Sequence, residues 1–465
     1  MREGEDLVRV TTGATLSRGL GRSYGDSSLP AATTVSGLPE SNTAQAAAVA
    51  STLLGDRILA FDESSGVLHA ESGLSLIEMN RLLLHRGWFT PVTPGTQFVT
   101  LGGMIASDIH GKNHHVAGTI GQHVLSLVMN VPGHGVVRCD RDTHPDLFRA
   151  TLGGMGLTGH ILEVELTMER VPSPWIMQES FRVKNIDAYV DALKDSAEKW
   201  PMTVGWIDCL SGSADTLGRG VLMCGRWATK EEAPEKAPKP KPRITMPAIF
   251  PSWTINNLTV RAFNWLYYHK HPNKVVRGVV HPETFFYPLD AIGHWNRIYG
   301  KAGFTQYQCV LPDEAGRAAV RAFLELCTQH GGASFLCVIK DCGPEAEGVL
   351  SFPMRGLSVA IDFPIRANTP SMVAALNEFV IAKGGRIYLT KDTFTSAEQF
   401  AAMEPRLAEF DAIRDQWDPR RQLRSAQSVR MLGDVPFGQT PTQTQTQTQT
   451  TLDSPTQMPT KEITT

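Results

Sequence analysis

The rhythm of apolar and polar positions changes once along the ordered part of the chain. Over residues 1–173 short apolar runs alternate with glycine-rich turns. Arg57–Phe61, Val67–Ser72 and His160–Met168 read as strands. The last runs ILEVELTM, the period-2 pattern of a strand with one face in a core. Val67–Ser72 leads through Gly73 into LSLIEMNRLLLHRG, whose apolar positions recur at helical spacing and whose Gly87 is a stop signal.

From 303 to 391 the elements lengthen. Phe304–Leu311 predicts a strand, and Asp313–Gln329 a helix with Val320, Phe323, Leu324 and Cys327 on one face and Gly331 past its end. Ser334–Lys340 and Leu357–Pro364 predict strands, Pro370–Lys383 a helix closed by Gly384-Gly385, and Arg386–Thr390 a last strand. Strand-helix-strand-strand-helix-strand is the order of a split βαβ arrangement with an antiparallel sheet. The expected organisation is a glycine-rich domain over 1–173, a second α+β domain over 174–385, and a segment 386–435 returning to the first. The Pro/Lys/Glu run at 229–243 and the QTQTQTQTQT tail, 436–465, are expected to lack fixed structure.

Composition narrows the function class. The chain has 465 residues, 42% of them hydrophobic, and a formal charge of −3, so no general basic surface invites nucleic acid. Seven cysteines occur without a CxxC pair, against a zinc ribbon, and the odd count argues against a disulfide framework. No apolar stretch is long enough to span a bilayer, and MREGEDLVRV has no apolar signal core. A cytoplasmic or peripherally membrane-associated location is expected.

Gly154-Met-Gly156-Leu-Thr-Gly159 fits GxGxxG, yet its flanks are reversed. A dinucleotide site needs a strand before the glycines and a helix after them, so that the helix N-terminus meets the pyrophosphate. Here helix-like HPDLFRATL precedes and strand-like HILEVELTM follows, so an NAD-type Rossmann site is not expected. Three other loops carry more: Arg18-Gly-Leu-Gly-Arg-Ser-Tyr-Gly-Asp26, Thr93-Pro-Gly-Thr96 with Thr100-Leu-Gly-Gly103, and Ser107-Asp-Ile-His-Gly-Lys112. Glycines admit close backbone approach and aim several N–H groups at one anion, and Arg22 and Ser23 add side-chain donors.

In this order and spacing, RGLGRSYGD, PGT…TLGG, SDIHGKNHH and GGMGLTG resemble the flavin-binding half of the vanillyl-alcohol-oxidase family. The similarity continues through FFYPLDAIGHWNRIYG, GFTQYQ, IDFPI, GGRIYLTKD and the segment around Trp417-Asp-Pro419. It is narrowest toward members that oxidise a polyprenyl-phosphoryl ribose. The resemblance implies an α+β fold: a two-part FAD-binding (PCMH-type) domain, plus an α+β substrate domain whose antiparallel sheet is flanked by helices. It implies non-covalent FAD, although some relatives attach it through a histidine in the region of His110. Ser17, Arg18, Gly19, Leu20, Gly21, Arg22, Ser23, Tyr24, Gly25, Asp26 and Ser27 would wrap the diphosphate. Gly95, Thr100, Leu101, Gly102, Gly103, Ser107, Asp108, Ile109 and His110 would line the isoalloxazine and diphosphate. Ile161 would meet the adenosine half, and Tyr388 would reach the flavin from the C-terminal strand. Tyr287, Gln306, Gln308, Lys340 and Lys391 would face substrate.

Oxidising a secondary alcohol removes a hydride from carbon and a proton from oxygen, so a base or proton path is needed. Lys391 is the first candidate under the resemblance. Burial would lower its pKa toward neutrality, or, if charged, it would stabilise an alkoxide. Read alone, it is an exposed lysine at a strand end. His110, candidate second catalytic group, lies in a cluster with His114 and His115. Gly111 and the lack of a carboxylate partner argue against a metal there. Trp295 and Phe363 either line the site or belong to the core.

The chain departs from the family in opening at the first glycine loop, where relatives carry a longer preceding segment; either the start is mis-assigned or the domain edge is incomplete. Ser358 and Ala360 stand where asparagine and cysteine are common, which bears on substrate identity. The implied reaction is oxidation of the 2′-hydroxyl of a polyprenyl-phosphoryl-β-D-ribose in arabinose-donor synthesis for the cell wall. A separate NADH-dependent short-chain reductase would then reduce the keto product. The alternatives are an FAD-dependent alditol or aldonolactone oxidase, resembling D-arabinono-1,4-lactone oxidase, and a flavin-binding protein without catalysis.

Overall fold

The computed structural model describes residues 5–31, 48–210, 213, 215–239, 243–332 and 334–436. Two antiparallel sheets organise it. The first has five strands in the spatial order Ile58–Asp62, Val67–Glu71, His160–Thr167, Val124–Val131 and Gly135–Asp140. His160–Thr167 carries the predicted alternation, with His160, Ile161, Leu162, Val164 and Leu166 buried. The predicted helix after Gly73 forms over Leu76–Leu83, capped by Ser75 and ended at Gly87 with φ 83°.

The second sheet has eight strands. Its order is Val276–Val280, Ile176–Val183, Gly220–Trp227, Met202–Ile207, Cys337–Cys342, Gly356–Pro364, Phe304–Pro312 and Arg386–Ile387. Helices Ile186–Ala197, Gly316–Gln329 and Thr369–Ala382 pack on one face of it. The predicted apolar stripe Val320, Phe323, Leu324 and Cys327 is buried there. The chain is thus an α+β protein in which a five-stranded antiparallel sheet accompanies a larger antiparallel sheet flanked by helices.

Two expectations are corrected. Arg386–Thr390 is a strand only over Arg386–Ile387; Leu389–Lys391 turns into a 3-10 helix that carries Lys391 out of the sheet. The Pro/Lys/Glu run is placed over 229–239 and at 243. Arg226 grips Glu232 through two bonds of 2.7 Å, Trp175 Nε1 donates to the Lys236 carbonyl, and the His281 ring meets the Lys239 carbonyl. Charged and carbonyl groups, not apolar burial, anchor that run, so its composition did not betray it. Residues 240–242 and the Gln/Thr tail from 437 lie outside the described residues. Ahead of the first glycine loop stand a helix, Glu5–Thr11, whose Leu7 is buried against Gly55, and the strand Leu16–Arg18, paired in parallel with Val49–Ser51. All seven cysteines are free and buried.

Candidate functional site

Sheet register builds one wall. Gln306 lies opposite Asp362, Gln308 opposite Ala360, and Ser358 opposite both Val310 and Lys340. Directly paired residues share a face, and side chains alternate along a strand, so Gln306, Gln308, Ser358, Ala360, Asp362 and Lys340 all project to one side. Tyr307, Cys309, Val359, Ile361 and Phe363 project to the other and fill the core under the helices. Gln306 donates to Asp362, and Gln308 donates 3.0 Å to Ser358 Oγ.

The turn Ser107–His110 supplies the facing wall. Asp108 adopts φ 37°, a left-handed conformation that aspartate tolerates better than most side chains. Its buried carboxylate accepts from the Gly121 N–H at 2.9 Å and from Ser351 Oγ, and burial raises its pKa to about 6. So held, the turn presents His110, whose Nε2 sits 2.9 Å from Gln308 Nε2. Burial and the nearby Lys340 keep the His110 pKa well below the ordinary value, so the ring is neutral. With the amide donating to Nε2, the proton resides on Nδ1, which is buried and has no partner. Tyr388 packs against His110 at 5.1 Å between centroids and donates to the Ser107 carbonyl at 3.0 Å.

Lys391 closes the third side. Its ammonium lies 3.7 Å from the centroid of the Tyr24 ring. Burial lowers its pKa to about 7, with Asp362 opposing the fall and Lys340 adding to it. Asp362 is itself fully buried, and burial pushes its carboxyl up to about 7. The two therefore form a site where one proton is readily exchanged near neutrality. Gln306, Gln308, Tyr388, Lys391 and Thr305 line a common, narrow pocket.

The first glycine loop is fastened beneath this lysine. Tyr24 N–H donates to the Thr390 carbonyl, and Asp26 pairs with Arg430, which also pairs with Asp392. A Cβ on Gly25 would lie 1.7 Å from the Asp392 carbonyl, and one on Gly19 2.2 Å from Thr100 Oγ1, so glycine is required at both contacts. Among the described residues, no intramolecular hydrogen bond is donated by the backbone N–H groups from Gly19 through Ser23. Ser27 Oγ and Gln97 Nε2 are buried without partners, and Gly95 has no atom within 4 Å of where a Cβ would stand. Free amides, unpartnered polar atoms and open space beside glycine fit a large anionic ligand such as a flavin dinucleotide. The second loop contributes differently: Leu101 and Gly102 N–H are already bonded to Leu74 and Ser72 carbonyls, so it offers closeness, not donors.

The remaining predicted residues have partners of their own. Ser17 Oγ is engaged by His160 at 2.7 Å, and Arg18 reaches the Ser28 carbonyl. Ile161 is core, opposite Met129. The Tyr287 hydroxyl, expected toward substrate, bonds Thr93 Oγ1 at 2.6 Å and accepts from Asn80, tying the second loop to the other half. Trp295 packs on Phe304, and Phe363 is core. His114 accepts from the Gly343 N–H, and among the described residues no group of His, Cys, Asp or Glu could hold a metal.

Three site residues were missed as such. Asp362 was legible as a lone carboxylate within the apolar run SVAIDFPI. Lys112 sits within SDIHGKNHH; it donates to the Phe286 carbonyl at 2.9 Å, and burial lowers it to about 7. Ser358 was read only as a departure from the family, and it is the hydroxyl that Gln308 binds.

Fold and site together define an FAD-dependent oxidoreductase, and the FAD binding domain family matches residues 22–140. The chain is 36% identical over 444 residues to decaprenylphosphoryl-β-D-ribose oxidase of Mycolicibacterium smegmatis, covering 92% of each chain, and it belongs to that family. An uncharacterised protein of Streptomyces coelicolor is 29% identical over 77% of this chain and 100% of its own. The solved structure of Physcomitrella patens BBE-like 1 shares the fold, with a TM-score of 0.62 at 11% identity over 92% of this chain and 89% of its own.

Proposed function

We propose that this chain oxidises the 2′-hydroxyl of a polyprenyl-phosphoryl-β-D-ribose to the 2′-ketone, using FAD held without a covalent bond. The observation that carries the reading is Lys391 and Asp362, each shifted toward neutrality and acting on the other by charge, with Gln306 bonded to Asp362 and Gln308 to neutral His110 on the same face of the sheet. Similarity over nearly the full length to a decaprenylphosphoryl-ribose oxidase supports the substrate class.

Bound FAD would supply the two-electron acceptor, held by the free amides of Gly19–Ser23 and by the residues around Gly95, Ser107 and His110. Lys391, as free base, takes the proton of the reacting hydroxyl; Asp362 then stabilises the resulting ammonium. Gln306 and Gln308 orient sugar hydroxyls through amide groups. Lys112 and Lys340, both half-buried and repelling each other as cations, are suited to a phosphodiester, whose charge would favour their protonated forms. Water is kept out by Tyr24, Phe352 and Tyr388, which pack around Lys391 and His110. A separate reductase would act on the ketone.

The test is anaerobic. Polyprenyl-phosphoryl ribose should bleach the flavin band near ~450 nm, an ordinary property of the cofactor. Bleaching by arabinonolactone alone, or by neither, would overturn the substrate assignment. Acid precipitation should leave the protein pellet colourless; a yellow pellet would show a covalent link.

A further inference from the structure

The helix Asn257–Lys270 is turned inside out. Its N-terminus is well made, with Asn256 and Thr259 in a reciprocal capping box. Its inward side holds Val260 and a fully buried amide, Asn264, which donates to Asp208 at 2.9 Å and to the Ser334 carbonyl at 3.2 Å. Leu258, Ala262, Trp265 and Leu266, at i, i+4, i+7 and i+8, form a single stripe on the opposite side. Leu258 is 78% exposed, Leu266 61% and Trp265 52%. Arg261 and Lys270 are exposed on the two flanks of that stripe. Trp253, 74% exposed, is joined to the helix start through a 3.0 Å bond from Asn256 to its carbonyl, and Ile249 and Phe250 continue the apolar surface.

Charge selects the occupant. From Lys236 to Pro282 the chain has eight Lys and Arg and no Asp or Glu, in a protein whose net charge is −3. Arg277 is paired with Glu179, and an apolar stripe with exposed tryptophans, flanked by Arg261 and Lys270, matches the interface of an anionic bilayer. A second copy of this chain would set like charges against each other in the same patch. We propose that the Asn257–Lys270 helix, with Trp253, docks the enzyme on an anionic lipid surface.

The face is also connected to the site. Phe263 packs on Phe335 at 5.6 Å, Phe335 on Tyr299 at 5.4 Å, and Tyr299 donates to Asp362 at 3.4 Å. Docking stands on this surface alone; that it brings a lipid-linked substrate to Lys391 rests on the function proposed above.

The experiment is flotation of the FAD-loaded full chain with vesicles of phosphatidylglycerol and phosphatidylcholine, or of phosphatidylcholine alone. Binding should favour the anionic vesicles and weaken as salt screens the basic residues. The triple variant Leu258→Ser, Trp265→Ser, Leu266→Ser should bind roughly tenfold or more weakly, from the loss of three interfacial apolar groups. Its flavin content and melting temperature should match wild type, since none of the three is buried. Absence of vesicle binding by wild type, undiminished binding by the variant, or a dimer that this variant dissolves would overturn the proposal. No substrate is present, so failure of docking and failure of the ribose assignment are read separately.

Discussion

Lys391 can act as a base only if it gives up its proton near neutrality, and the structure says why it would. Burial lowers its pKa from 10.5 to about 7, while the neighbouring Asp362 carboxylate partly restores it. A base must be unprotonated, so kcat/KM should rise with pH, reach half its plateau near about 7, and fall about tenfold per unit below that. Lys391→Ala should lower kcat by about 10²–10⁴-fold, equivalent to about 2.7–5.5 kcal/mol, and abolish the rising limb. Flavin content should be kept, because the amides from Gly19 to Ser23 remain. Lys391→Arg separates the two roles. A guanidinium stays charged, so it should be as inactive as alanine if the lysine is a base, and largely active if it only stabilises an alkoxide. Asp362→Asn removes the charge that favours the ammonium, so the limb should move to lower pH, by about one unit or more. The assay is steady-state flavin turnover between about pH 5.5 and 8.5, the range where such a limb is visible. A flat profile, an active Lys391→Arg, or a limb moved upward in Asp362→Asn would each refute the reasoning.

Two further outcomes test the frame around that lysine. Gly25→Ala should lose flavin and stability together, because its Cβ would meet the Asp392 carbonyl at 1.7 Å; Gly95→Ala, with nothing within 4 Å, should fold normally and lose flavin only, measured as the visible-to-ultraviolet absorbance ratio against the melting temperature. His160 is buried, donates to the Ala14 carbonyl and accepts from Ser17, and burial lowers its pKa from 6.5 to about 4. Its contribution to stability is complete above pH 6.5 and is lost as pH falls toward 4, by about 1.4 kcal/mol per unit. Thermal melts of His160→Gln should therefore fall less steeply than wild type over that window, and an equal slope would count against it.

Local features were the legible ones. Gly87 stops its helix because a left-handed backbone angle is a requirement of one residue, readable wherever it stands. The reversed flanks of Gly154–Gly159 were likewise local, and helix Pro145–Thr151 does precede them and strand His160–Thr167 does follow. The run Arg386–Thr390 misled because its apolar pattern continues past Ile387, whereas Tyr388 makes the last bond to the Gln308 carbonyl and the chain then turns, Lys391 N–H donating to the Tyr388 carbonyl. Helix Asn257–Lys270 carried no assignment at all, since an apolar stripe does not state which way it faces.

By itself, then, the sequence determined the glycine loops, the alternating strands, the amphipathic helices packed on the large sheet, and a family resemblance that pointed at Lys391 and His110. Tertiary structure alone decided their partners. Asp362 meets Gln306 through sheet register, Tyr24 lies under Lys391 through a contact spanning most of the chain, and the Tyr287 hydroxyl bonds Thr93. The physical reason is range. Backbone angles and hydrophobic period are set by neighbours a few residues apart, whereas the pKa of a buried lysine is set by whatever distant charge the fold brings beside it.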